Sequence, residues 1–191
     1  MLPLFWRQQH LKRIVATAEQ DALKEAAVEA RDATGLDQRG FAARLGRDDG
    51  FVWKMEVGQR RVRVIEIIEI AWAAEIRPDS FIDRIVLRRP LVRAKEKRIR
   101  IPLTDTLRAV MEETLIATTV KARDAAQKSQ RQVGAEIGRS ESYIWKLENH
   151  LLTKGLEVFE FLALSKVEQF QPAEVVAHVA RAIVAKLTRG G

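Results

Sequence analysis

A chain of 191 residues with an apolar fraction of 47% can build one domain or two small ones with real hydrophobic cores, and is not a disordered polymer. The absence of cysteine excludes disulfide scaffolds, thiolate metal sites and cysteine nucleophiles. The net charge of +7 is uneven: residues 88–100 hold seven basic residues against one acidic, a net of +6 that leaves +1 for everything else, so attraction to a polyanion is concentrated near the middle of the chain.

The opening residues, Met1 to Trp6, are apolar but few, and Arg7, Lys12 and Arg13 follow them. That is the wrong order and length for a signal peptide. The best apolar run, 64–76, is interrupted by Glu66, Glu69 and Glu75 and does not read as a membrane span. A soluble cytoplasmic protein with no membrane partner is the expectation. His10, His150 and His178 have no ligand partners at metal spacing, and no Gly-rich phosphate loop follows a strand. Neither an enzyme, a metal nor a cofactor is expected.

In chain order, apolar residues at three- and four-residue spacing (Leu11, Ile14, Val15, Ala18, Ala22, Leu23, Ala26, Ala30) predict a long helix over 7–33, ended by Thr34-Gly35. Asp37 can cap a short helix at 38–45 that Gly46 stops. Asp48 can cap another at 49–57, stopped by Gly58, with Val52 and Met55 facing inward. A loop with Arg60, Arg61 and Arg63 leads to an apolar helix at 64–75. Pro78 starts the last helix of this half, through Phe81, Ile82 and Ile85. Pro90 and the basic run read as a linker, closed by Pro102. Thr104 then caps a second long helix, 105–126. Ser129 with Gln132 forms a capping box, Ser140 caps the next short helix, and residues 156–167 match the fourth helix after a one-residue shift in the preceding loop. Pro172 starts a final helix whose stripe Val175, Val176, Val179, Ile183 and Val184 needs a partner. Strand signals are absent, so the fold class is all-α.

The two halves are copies. Over 30–56 against 122–148, twelve of twenty-seven positions are identical, ninety-two residues apart. The repeat is densest where Gly46-Arg47 … Trp53-Lys54 … Glu56 returns as Gly138-Arg139 … Trp145-Lys146 … Glu148. A fixed-period repeat outranks other sequence signals, and it divides the chain into 1–87, a basic linker at 88–103, and 104–191.

A short helix, a glycine turn and a second short helix is a helix-turn-helix arrangement. The residues Gly35-Leu36-Asp37-Gln38 … Phe41-Ala42 … Leu45-Gly46 … Val52 … Met55-Glu56 … Gly58 resemble the Xre/Cro–cI family of phage and bacterial repressors. The second copy resembles it through Gln130, Val133, Gly138, Ile144, Leu147 and Glu148. The resemblance implies two tandem five-helix, lambda-repressor-like helix-turn-helix domains with extended first helices. It also implies a sequence-specific DNA-binding transcription regulator, more a repressor than an activator, acting near the nucleoid as a homodimer on double-stranded DNA. Carried onto this chain, Gln38 and Gln130 would contact phosphates at a helix N-terminus. Asp49, Gly50, Trp53 and Lys54, with Glu141, Ser142, Trp145 and Lys146, would lie on the groove side, away from the inward pair 52/55 or 144/147. The lysines can donate to guanine, and Asp49 or Glu141 can accept from cytosine. Arg47 and Arg139 are phosphate-contact candidates, as are Arg60, Arg61 and Arg63. Arg31 with Glu56, and Arg123 with Glu148, match a structural salt bridge of some family members.

Trp53 and Trp145 depart from the family, which usually carries a small or polar residue there; packing on sugar and thymine methyls, on the loop after the helix or on the other copy is favoured over base reading. The arginine loop of copy one has Leu152, Thr153 and Gly155 as its counterparts at the ninety-two-residue spacing, so fewer phosphate contacts are expected from copy two. Two readings remain. In one, both units read DNA as an imperfect inverted or direct repeat, with the basic linker following the backbone between half-sites. In the other, only copy one binds DNA and copy two is a protein-interaction or dimerisation module, antitoxin-like or polymerase-contacting. The stripe 173–187 can pack the copies together or drive dimerisation.

Overall fold

The computed structural model describes residues 4–94 and 103–189, with side chains described from 18 to 94 and from 103 to 188. Among them the chain is helical, with two isolated antiparallel bridges and no strand. Copy one comprises α1 (Leu4–Asp32), α2 (Gln38–Leu45), α3 (Gly50–Glu56), α4 (Val64–Ala73) and α5 (Pro78–Leu87); copy two comprises α6 (Asp105–Ala125), α7 (Gln130–Ile137), α8 (Glu141–Glu148), α9 (Val158–Val167) and α10 (Pro172–Arg189). No described helix is long and apolar enough to cross a membrane.

The local signals set these boundaries. Asp37 accepts from the Gly40 amide, Thr104 from Leu107 and Ser140 from Tyr143, while Ser129 and Gln132 close the capping box. Each such bond satisfies an orphan amide of the first turn. Gly46 and Gly138 end α2 and α7 with φ of 64° and 74°, the left-handed geometry a side chain disfavours. At α3 the cap is unusual: Asp49 occupies the N-cap in a helical conformation without a side-chain bond. Asp48 instead accepts from the Gly50 amide at 3.1 Å.

One expectation needs correction. The loop before the fourth helix differs by two residues, not one, because α9 starts at Val158 and α4 at Val64 while the repeated stretches 46–56 and 138–148 differ by ninety-two. Arg63 therefore corresponds to Glu157 and Arg61 to Gly155. The stretch 88–103 is bonded to the rest of the fold along its described length. Residues 91–94 return to copy one as a strap: the Arg77 amide donates to Val92 O at 2.8 Å, the Ala94 amide to Glu75 O at 2.8 Å, and Val92 N to Ser80 Oγ at 3.1 Å. At the other end Leu103 is buried in the core. Arg88 and Arg89 are engaged with Glu25 and Asp83. The remainder of the basic run, 95–102, lies outside the described residues.

One contiguous core runs through both copies. The α10 stripe, with Val176, Val179 and Ile183 fully buried, packs on α5 as well as on α6, α4 and α9. Because α5 and α10 are counterparts, like packs on like. The same holds where the fourth helices begin: Val64 N donates to Leu156 O at 3.0 Å, and Val158 N donates to Val62 O at 2.9 Å. With 62 matching 156 and 64 matching 158, each bond is the image of the other. An isologous contact of this kind is the mark of a twofold relation, here between two halves of one chain. Polar contacts reinforce the seam: Glu69 accepts from Arg108 at 2.7 Å, Arg63 approaches Glu112 at 3.6 Å, Arg61 reaches Glu157 at 3.3 Å, and Lys166 pairs with Glu19 at 2.8 Å.

Candidate nucleic-acid interface

Within each copy, the short helix bearing the repeated Trp-Lys pair is clamped by its own terminal carboxylate. Glu56 ends α3 and accepts from Arg31 Nε of α1 at 2.6 Å and from Gln38 Nε2 of α2 at 2.6 Å. Arg31 also donates to Leu36 O at 3.2 Å. Copy two repeats this: Glu148 accepts from Arg123 Nε at 2.5 Å and from Gln130 Nε2 at 2.6 Å, and Arg123 donates to Lys128 O at 2.9 Å. The hydrogen bonds to Glu56 and Glu148 hold the Arg31 and Arg123 pKa values above their ordinary range, against the opposing effect of burial. The expected Arg–Glu salt bridge is thus a three-helix joint, and the glutamine is its third member. One amide N–H of Gln38 and of Gln130 is committed to the carboxylate.

A second joint fixes the start of the same helix. Arg47 donates to Glu69 at 2.8 Å and lies 5.3 Å from the centroid of the Phe51 ring. Arg139 donates to Glu160 through Nε at 3.0 Å and lies 5.2 Å from the Tyr143 centroid, while Tyr143 OH donates to the other Glu160 oxygen at 2.5 Å. Burial, then the bond to Glu160, push the Tyr143 pKa upward. Of the copy-one loop arginines, Arg60 donates to Glu66 at 2.6 Å and stacks 4.4 Å from the Phe51 centroid. Arg63 contacts Glu66 by both backbone and side chain. Arg60 and Arg63 are therefore committed to a buried carboxylate, and Arg61 is paired across the seam although largely exposed. The differences between the loops reflect which copy supplies the seam, since Glu157 of copy two is the acceptor for Arg61.

The outward stripe of α3 is Gly50, Trp53, Lys54 and Val57. In α8 it is Ser142, Trp145, Lys146 and Asn149. Phe51, Val52 and Met55, and Ile144 with Leu147, face inward and are buried; Tyr143 is half-buried. Both tryptophans are open to solvent, Trp53 at 44% and Trp145 at 47%. Among the described residues, neither the following loop nor the other copy buries them. Asp49 is paired with Arg39 at 3.0 Å, which moderates its charge on this face. The counterparts Glu141 and Arg131 are both exposed. Gly134 was not singled out from sequence, yet a Cβ there would come within 2.9 Å of the Arg139 carbonyl, so its bareness lets α7 meet the start of α8. Glu66 and Glu69 were visible only as interruptions of an apolar run. Two carboxylates three apart inside such a run, with arginines nearby, are the signal that marked buried anchors.

Glu168, at the end of α9, sits behind the copy-two joint; it is buried, and its Oε2 has no hydrogen-bond partner. Burial, and then the nearby Glu148 charge, push its pKa up to about 8. Because the folded-state value is raised, the stability it permits is complete below the ordinary carboxylate pKa and is lost as pH rises through about 8. Glu168→Gln should therefore leave unfolding free energy nearly unchanged at pH 4 and raise it by about 2 kcal/mol at pH 9. Urea titrations at the two pH values check this, and an equal effect at both would sink it.

Comparison with protein-family models, curated proteins and solved structures finds no match. Among the described residues no cluster of three His, Asp or Glu side chains could hold a metal ion.

Proposed function

We propose that the protein is a sequence-specific, double-stranded DNA-binding transcription regulator of the helix-turn-helix type resembling Xre/Cro–cI repressors, with both recognition helices carried by one chain. The observation that supports this best is the outward stripe of α3 and α8. In both copies a small residue, a tryptophan and a lysine project from a short helix that is anchored at both ends, by Arg31–Glu56–Gln38 and Arg47–Glu69 in one and by Arg123–Glu148–Gln130 and Arg139–Glu160 in the other. A rigid helix with exposed cationic and apolar groups is what insertion into a major groove requires. Lys54 and Lys146 are the direct donors to base edges, Gly50 and Ser142 permit close approach, and Asp49 and Glu141 select for a cytosine amine.

The twofold contact between counterparts favours an inverted over a direct arrangement of half-sites. Joining the units covalently replaces an association step by a high effective concentration. With the stripe of α10 spent on the intrachain seam, it is not available to join two chains. Copy two as a protein-interaction module remains the second reading. Exposed Leu151, at 54%, favours it, but the missing arginine loop no longer does, because Arg61 and Arg63 serve the seam and Arg60 is held by Glu66.

The test is selection of bound duplexes from random DNA, followed by paired substitutions. Lys54→Ala and Lys146→Ala should each weaken binding of the selected duplex roughly tenfold. Full retention of affinity by Lys146→Ala alone would transfer the function of copy two to a protein partner.

A further inference from the structure

The repeated tryptophan is the largest exposed apolar side chain of each outward stripe, and no described residue buries it. Three observations restrict what covers it. First, the same group stands on α3 and on its counterpart α8, in copies joined by reciprocal bonds, so its ligand presents one chemistry twice. Second, the neighbours differ: Val57 beside Trp53 is apolar, while Asn149 beside Trp145 is polar and donates to the Trp145 carbonyl at 2.8 Å. A hydrophobic protein partner matched to one stripe would not fit the other, and one indole per stripe is far less apolar area than a stable protein interface buries. Third, what the stripes share beside the indole is the adjacent Lys54 or Lys146, so the ligand is anionic as well as locally apolar.

Indole offers one donor and a broad apolar face, which suits it poorly to reading the donor and acceptor pattern of base edges. The one apolar feature in the major groove is the 5-methyl group of thymine. We infer that Trp53 and Trp145 each cover a thymine methyl, so that the bound duplex carries thymine at equivalent positions of two inverted half-sites. This inference rests on the DNA-binding reading above.

The probe is the duplex enriched by selection, remade with each thymine in turn replaced by deoxyuridine, which removes the methyl and leaves every hydrogen-bonding group in place. For the unaltered protein, one substitution in each half should weaken binding about fourfold, the effect of one buried methyl group. In Trp53→Ala the sensitivity should vanish in one half only, and in Trp145→Ala in the other only. Both side chains are half exposed, so the variants should unfold at the temperature of the parent, which a thermal melt checks. Enrichment of a duplex without sensitivity to deoxyuridine, or sensitivity that survives both substitutions, overturns the assignment while leaving DNA binding intact. Conversion of a dimer to a monomer by the paired substitutions, with deoxyuridine sensitivity unchanged, assigns the tryptophans to a contact between chains and also overturns it. Failure to enrich any duplex overturns the DNA-binding reading, and this inference with it.

Discussion

Replacing Glu69 by alanine should lower the unfolding free energy by about 3–5 kcal/mol, a large part of the roughly 5–15 kcal/mol that holds a domain folded. Glu69 is only 2% exposed and lies inside the apolar face of α4. It accepts from Arg47, in the turn before α3, and from Arg108 in the first helix of copy two. Burial works to lower the Arg108 pKa, but the hydrogen bonds that Arg108 donates to Glu69 and Asp105, together with the charges of those carboxylates, raise it. Without the carboxylate, two guanidinium groups remain in a partly buried seam. Arg47 would retain Glu66 at 3.9 Å, and Arg108 only the exposed Asp105 at 3.2 Å. Urea unfolding followed by tryptophan fluorescence measures the loss, and a double-mutant cycle with Arg108→Ala isolates the cross-copy share. A loss below about 1 kcal/mol would place the pair with ordinary surface ion pairs and refute its role as an anchor of the seam.

Separating the halves should be at least as damaging. The fragment 104–191 keeps α10 but loses α5 and α4, two of its four packing neighbours. Val176, Val179 and Ile183, all at 0% exposure in the intact chain, would face water in part. Each fully buried side chain of this size contributes about 1.5–3 kcal/mol, and a unit of fewer than ninety residues has little stability to spare. The isolated fragment should show a broad, weakly cooperative melt by circular dichroism. In the intact chain, Val179→Asp should cost about 4 kcal/mol or more by burying an unpaired charge. A sharp fragment transition near the melting temperature of the whole chain would show that the copies are independent domains that happen to touch.

These two expectations come from contacts that the sequence did not disclose. The charge pattern around 60–63 read as three arginines free to meet phosphates, because their acceptors are remote in sequence: Glu157 lies ninety-six residues from Arg61, and Glu112 lies forty-nine from Arg63. Glu66 is near in sequence, but only its complete burial turns it from a surface acid into an anchor. The loop shift was misjudged by one residue because leucine and threonine in a turn carry no register signal of their own. The tryptophans illustrate the opposite case. Sequence placed them on the outward side correctly from the positions of Val52 and Met55, and left open whether they pack on DNA, on the following loop or on the other copy.

The sequence by itself determined the all-helical class, the helix limits to within a few residues, the caps at Asp37, Thr104, Ser129 and Ser140, and the left-handed glycines. All of these depend on interactions between residues close in the chain, or on a pattern that the repeat states twice. Only the tertiary structure decided how the copies meet, because the apolar stripe of α10 is equally suited to a second chain and to α5. What selects α5 is the combination of the reciprocal bonds at 62–64 and 156–158 with the cross-copy pairs of Glu69, Arg61 and Arg63. None of these acts until both halves have folded and come together.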